Sequence, residues 1–149
     1  TFPSEHVMVL PVIDDHSILF VKAIRPIFKH PVIELPAGSA FKGETNEKAA
    51  LRELSEETGI ICSEAIDLKP LNPLNSMSSR TSKMLNIFKA EITMDTYEKR
   101  EAHDNEVTGT LLLNYDQIIH KIQTGKLFSA TTIAICLQHI ISNTLRKKA

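Results

Sequence analysis

Gly38-Ser-Ala-Phe-Lys-Gly43-Glu44-Thr45-Asn46-Glu47-Lys-Ala49-Ala50-Leu51-Arg52-Glu53-Leu54-Ser-Glu56-Glu57-Thr-Gly59-Ile60 reads as a loop, a helix and a stop. Gly38 and Gly43 give the loop a permissive backbone. Thr45 or Asn46 supplies a helix cap, and Glu47 suits the positive first turn. Ala49, Ala50, Leu51 and Leu54 favour helix, and Gly59 is placed to end it. Glu53, Glu56 and Glu57 stand at i, i+3 and i+4, so three carboxylates share one helix face. Like charges there repel, and near the C-terminal end they also oppose the helix dipole. A solvated acidic face is the ordinary account of such a trio. A hard divalent cation, Mg2+ or Mn2+, is the account that turns the repulsion into binding.

The wider spacing decides between them. Gly38, five residues, Glu44, seven residues, then Arg52-Glu53-Leu54-Ser-Glu56-Glu57-Thr-Gly59-Ile60 resembles the Nudix box with every fixed position filled. The resemblance implies an α/β fold, an α/β/α sandwich with a mixed central sheet and flanking helices. It also implies Mg2+-dependent hydrolysis, with Mn2+ as the other metal, of a nucleoside diphosphate linked to another moiety. Within it Glu53 and Glu57 are the first metal ligands, Glu56 is a bridging or additional one, and the backbone carbonyl of Ala37 adds an oxygen. Arg52 orients the glutamates by ion pairing with Glu44 as its partner, and Gly38 and Gly59 are structural.

The rest of the chain sets the bounds. At 149 residues one domain over 1–149 is expected. A formal charge of −1 gives no global attraction to nucleic acid or to an anionic membrane. Cys62 and Cys136 lack metal-ligand spacing and read as thiols of a reducing compartment. The apolar stretch from Ala130 to Ser142 is too short to span a bilayer, and no signal peptide is visible, so a cytoplasmic location is expected.

His6–Ile13 and Ser17–Ile24 read as a hairpin around Asp14-Asp15-His16. Pro31–Ala37 is a short extended segment. Ile60–Cys62 and Ile66–Leu71 suggest a broken strand with a turn between. Asn72–Ser82 is a polar loop, and Lys83–Thr93 is expected to be the longest strand. Met94–Asn105 reads as turn-like, Glu106–Leu113 as a strand, Tyr115–Gln123 as a short helix and Ser129–Arg146 as the last helix. Strands, one helix, strands and terminal helices argue for a mixed sheet covered on both faces.

Beyond the box, Arg25-Pro26 followed by Glu34-Leu35-Pro36-Ala37-Gly38, with His103-Asp-Asn-Glu106 later, resembles the ADP-ribose pyrophosphatase branch that acts on nucleoside diphosphate sugars. That resemblance implies a general base or added ligand at Glu106, substrate contacts from Arg25 and Glu34, and a homodimer. An exposed loop acid is the plain alternative at Glu106, and a surface arginine at Arg25. Pro73–Thr81 lacks the glycine turn of the branch, and Arg80 there is either a phosphate or sugar contact or a solvated residue. Phe28 reads as a core or rim aromatic, with stacking on a base as the other use of its ring. A nucleoside triphosphate or another sugar nucleotide is the rival substrate. A non-catalytic ligand-sensing module is the rival of another class.

Overall fold

The computed structural model describes residues 5–62 and 66–149. β1 (His6–Ile13) and β2 (Ser17–Ala23) form the hairpin, turning through Asp14 and Asp15 at φ 51° and 52°. Aspartate tolerates this left-handed backbone, and two such residues in succession match the twist of a tight hairpin. The strands pair only beside the turn, Val12 with Ile18 and Ile13 with Ser17. Beyond that they part, and two short strands fill the wedge. β3 (Val32–Glu34) pairs with β2, and β4 (Ala37–Ser39) with β1. The single extended segment expected over Pro31–Ala37 is therefore two strands joined at Leu35-Pro36. Pro36 has no N–H to give a ladder, and its carbonyl accepts from Val9 N–H at 2.9 Å.

β6 (Asn86–Ile92) runs parallel to β1, with β5 (Asp67–Pro70) antiparallel outside it, and β7 (Val107–Asn114) lies antiparallel beside β2. The result is one mixed seven-stranded sheet. β6 is shorter than the expected Lys83–Thr93 strand, and β1 and β7, at 8 residues each, exceed its 7. Lys83–Leu85 falls outside β6, with Leu85 bridging only to Leu74. Ile60–Cys62 forms no strand, and the turn expected before Ile66 lies outside the described residues.

Side chains alternate between the two faces as a pleated strand requires. Val7, Val9, Ile13 and Leu19 pack with Ala49, Ala50 and Leu54 of α1 (Asn46–Thr58). Leu10, Val12, Ile18 and Phe20 pack with Ile118 of α3 (Tyr115–Gln123) and Ile135, Cys136 and Ile140 of α4 (Ala130–Lys148). Each fully buried leucine, isoleucine or phenylalanine here contributes roughly 1.5–3 kcal/mol. Met94–Glu98, expected to be turn-like, is a one-turn helix, α2. Thr93 caps it by accepting from Thr96 N–H at 3.2 Å, and Lys99 pairs with Asp95 across one turn. No helix among the described residues is long and apolar enough to cross a membrane.

α1 begins at Thr45, whose hydroxyl accepts from Lys48 N–H at 3.2 Å, and ends at Gly59 at φ 78°. Carbonyls left free at that end are taken by the chain that leads to β7. Glu101 N–H donates to Gly59 O at 2.7 Å and Asp104 N–H to Glu56 O at 2.8 Å. A Cβ at Gly59 would stand 1.8 Å from the Glu101 carbonyl oxygen. Gly59→Ala should cost about 2 kcal/mol or more and lower the melting temperature by roughly 5 °C. An unchanged thermal melt would show that this junction is not fixed as described.

Candidate active site

α1 turns its glutamates toward the backbone of β4. Glu53 and Glu57 are each only 7% exposed. A Cβ at Gly38 would fall 2.0 Å from Glu53 Oε1, so only glycine lets strand and carboxylate pack this closely. Arg52 ties the group together. Its Nε and one terminal nitrogen donate to the two oxygens of Glu44 at 2.9 and 3.0 Å. The other terminal nitrogen reaches Glu53 at 2.9 Å and Glu56 at 3.3 Å. The guanidinium also donates to Ser39 O at 3.0 Å and lies 3.8 Å over the Phe41 ring. Glu44 is held well below the usual carboxylate range by Arg52, and its Oε1 accepts Phe41 N–H.

Among the described residues no such cation is bonded to Glu57. Burial pushes its carboxyl up to about 8, the Glu53 charge adds to the rise, and a hydrogen bond from Ala37 N–H opposes it. Asp104 and Glu106 also press on Glu57, and Glu106 presses on Glu53. Burial raises Glu53 too, with Arg52 pulling the other way. The bonds from Glu101 and Asp104 to the end of α1 therefore bring a second acidic segment against the first. Glu106 N–H donates to Asp104 Oδ1 at 3.0 Å, which shapes that segment. Asp104 is the residue that sequence reasoning passed over. The signal was present in His103-Asp104-Asn105-Glu106, but nothing local shows which acid faces α1.

Arg25 and Glu34 form a two-point pair, Nε to Oε1 at 3.1 Å and a terminal nitrogen to Oε2 at 2.5 Å. Glu34 raises the Arg25 pKa, and the Glu57 charge contributes to that rise, so this pair lies within electrostatic reach of the acidic group. Arg80 stands apart. It is exposed on a turn closed by its N–H to Met77 O, and no contact among the described residues ties it to the carboxylates. The Asn72–Ser82 loop and β1 enclose a groove of about 550 Å3 lined by His6, Ser39, Ser76, Thr81, Lys83 and Asn86, among others.

A divalent cation suits this donor set. Glu53, Glu56, Glu57, Asp104 and Glu106 are hard oxygen donors, and Gly38 leaves the main chain open against Glu53. Among the described residues no three acidic, histidine or cysteine side chains are already closed around one point.

Comparison with known proteins agrees with the box. The NUDIX domain family matches residues 3–133. The chain belongs to the Nudix family and is a hydrolase acting on phosphoric anhydrides. It is 29% identical to the ADP-ribose pyrophosphatase of Bacillus subtilis over 134 residues, 90% of this chain and 70% of that protein. The methanol dehydrogenase activator of Bacillus methanolicus is 23% identical over 134 residues, again 90% of this chain and 70% of the relative. The solved structure of an ADP compounds hydrolase matches with a TM-score of 0.70 at 20% identity, covering 97% of this chain and 74% of that one.

Two outcomes follow from the geometry. Gly38→Ala should displace the Glu53 carboxylate and lower turnover by about a hundredfold while the protein stays folded; parental activity would sink the close packing. In metal-free protein, Glu57 keeps its proton up to about pH 8 when folded but loses it near the ordinary carboxylate value when unfolded. Stability should therefore fall as pH rises between those values. Melting curves in chelator should show that fall in the parent and a weaker one in Glu57→Gln. Equal slopes would remove Glu57 as its source.

Proposed function

We propose that this protein hydrolyses ADP-ribose, or a closely related nucleotide sugar, to a nucleoside monophosphate and a sugar phosphate with the aid of Mg2+. The observation that carries the reading is the packing of Glu53 against the glycine-opened strand β4 on the glutamate-bearing helix α1, to whose end the Asp104–Glu106 segment is bonded through Asp104 N–H and the Glu56 carbonyl. The Bacillus subtilis relative, an ADP-ribose pyrophosphatase, supports the choice of substrate.

Divalent ions such as Mg2+, generally used by Nudix enzymes, neutralise diphosphate charge and make water a better nucleophile when bound. Glu53 and Glu57 would hold them, with Glu56 and the Ala37 carbonyl as further oxygens. Arg52 keeps Glu53 and Glu56 in place. Arg25 presents a guanidinium already oriented by Glu34, a geometry suited to two-point contact with a phosphate. Glu106 accepts the proton of the attacking water at its carboxylate. The groove beside Ser39 receives the moiety on the far side of the diphosphate.

The test is product release from ADP-ribose, GDP-mannose, UDP-glucose, NADH, diadenosine polyphosphates and dNTPs with Mg2+ or Mn2+. ADP-ribose should lead. Preference for a triphosphate would overturn the substrate, and binding without turnover would favour a sensor. Glu106→Gln should lower kcat by about a hundredfold or more with a smaller change in KM. A parental rate would return the base to α1.

A further inference from the structure

We propose that Asp104 is a positioning residue that fixes Glu106, the base of the hydrolysis, against the glutamate-bearing helix α1. Asp104 has this role only if Glu106 is that base, so it rests on the hydrolase reading. Glu106 is exposed and sits in the turn that leads into β7. A base has to meet its water at a set distance from the phosphorus, and a misplacement of about 1 Å can cost about a hundredfold in rate. A carboxylate on a free loop does not meet that demand.

Two anchors hold the backbone of Glu106. On its C-terminal side Val107 is buried and pairs with Ala23, and the next pair is Gly109 with Lys22, so Thr108 is an extra residue in β7. The Thr108 hydroxyl donates to Lys22 O at 3.1 Å and closes that bulge. On its N-terminal side the anchor is Asp104. Asp104 N–H donates at 2.8 Å to Glu56 O, one of the carbonyls that α1 leaves free at its end. Asp104 Oδ1 accepts Glu106 N–H at 3.0 Å, a turn in which the side chain takes the place of a backbone carbonyl. The Asp104 carbonyl accepts from His103 Nδ1 at 2.6 Å. One residue thus bonds back to His103, forward to Glu106 and across to the helix that carries Glu53, Glu56 and Glu57. The bond from Glu101 N–H to Gly59 O ties the chain earlier, but it leaves the direction of Glu106 open.

The rival account uses the charge of Asp104, as one more oxygen donor to a cation. Asparagine separates the two, because its amide oxygen accepts the same N–H and carries no charge. The experiment measures kcat, KM and the half-saturating Mg2+ concentration on ADP-ribose, with amide exchange at Glu106 by NMR in substrate-free protein. The proteins are the parent, Asp104→Asn, Asp104→Ala, Glu106→Gln and the double variant of Asp104→Ala with Glu106→Gln. Asp104→Ala should speed exchange at Glu106 by about two- to tenfold, the range for one lost hydrogen bond. It should lower kcat by about ten- to hundredfold with KM and the Mg2+ requirement nearly unchanged. Asp104→Asn should recover most of both losses. In the Glu106→Gln background Asp104→Ala should cost almost nothing more, since it acts through the residue already changed. The positioning role is overturned if asparagine does no better than alanine, if both variants need more Mg2+, or if the two single losses add in the double variant. A slow Glu106→Gln beside a parental Asp104→Ala sinks this role alone. A parental rate in Glu106→Gln sinks the base assignment, and the role of Asp104 falls with it.

Discussion

Two buried carboxylates on one face of α1 are the constraint around which this molecule is arranged. Burial and mutual repulsion both raise the cost of charging Glu53 and Glu57. Arg52 offsets part of it, and does so by joining three separate pieces of chain. It bonds to Glu44 in the loop, to the Ser39 carbonyl at the end of β4, and to Glu53 and Glu56 on its own helix. Loop, strand and helix are thus fixed to one another through a single guanidinium. Among the described residues Glu57 is left without a bonded cation, and the acidic segment at Asp104 and Glu106 increases the imbalance. A fold selected for stability alone would not gather these groups. The unbalanced charge is a stability cost concentrated on this face of α1.

What the sequence made legible was local. The capped helix with its glycine stop follows from 3.6-residue periodicity and from residues at its two ends, and α1, α3 and α4 lie close to where that reasoning put them. Helical spacing put Glu53, Glu56 and Glu57 on one face, whereas the pairing of Arg52 with Glu44, which lies in the loop before α1, came from the resemblance to the Nudix box. The wedge was not legible. That β1 and β2 part after two residue pairs depends on the sheet as a whole, so Pro31–Ala37 read only as an extended segment, without the two strand pairings it makes. α2 is too short to show a period, and only the contacts of Thr93 reveal it. Asp104 was missed because its significance arises from a hydrogen bond to Glu56, far away in sequence.

The wedge is also what brings the Arg25–Glu34 pair and the α1 glutamates to one part of the molecule. In five consecutive residues the chain crosses from β3 to β4, and each has a distinct partner. Glu34 holds Arg25, and Leu35 enters the core beneath α3 and α4. The Pro36 carbonyl joins Val9, Ala37 N–H bonds to Glu57, and Gly38 makes room for Glu53. Strand side chains alternate, so a slip of one residue would exchange the two faces. Leu35 would leave its core, and a side chain would replace the hydrogen at Gly38, where Cβ and carboxylate cannot both fit. Packing on one face of the sheet therefore fixes register on the other. The apolar side chain of Leu35 contributes to the position of the glutamates it never touches.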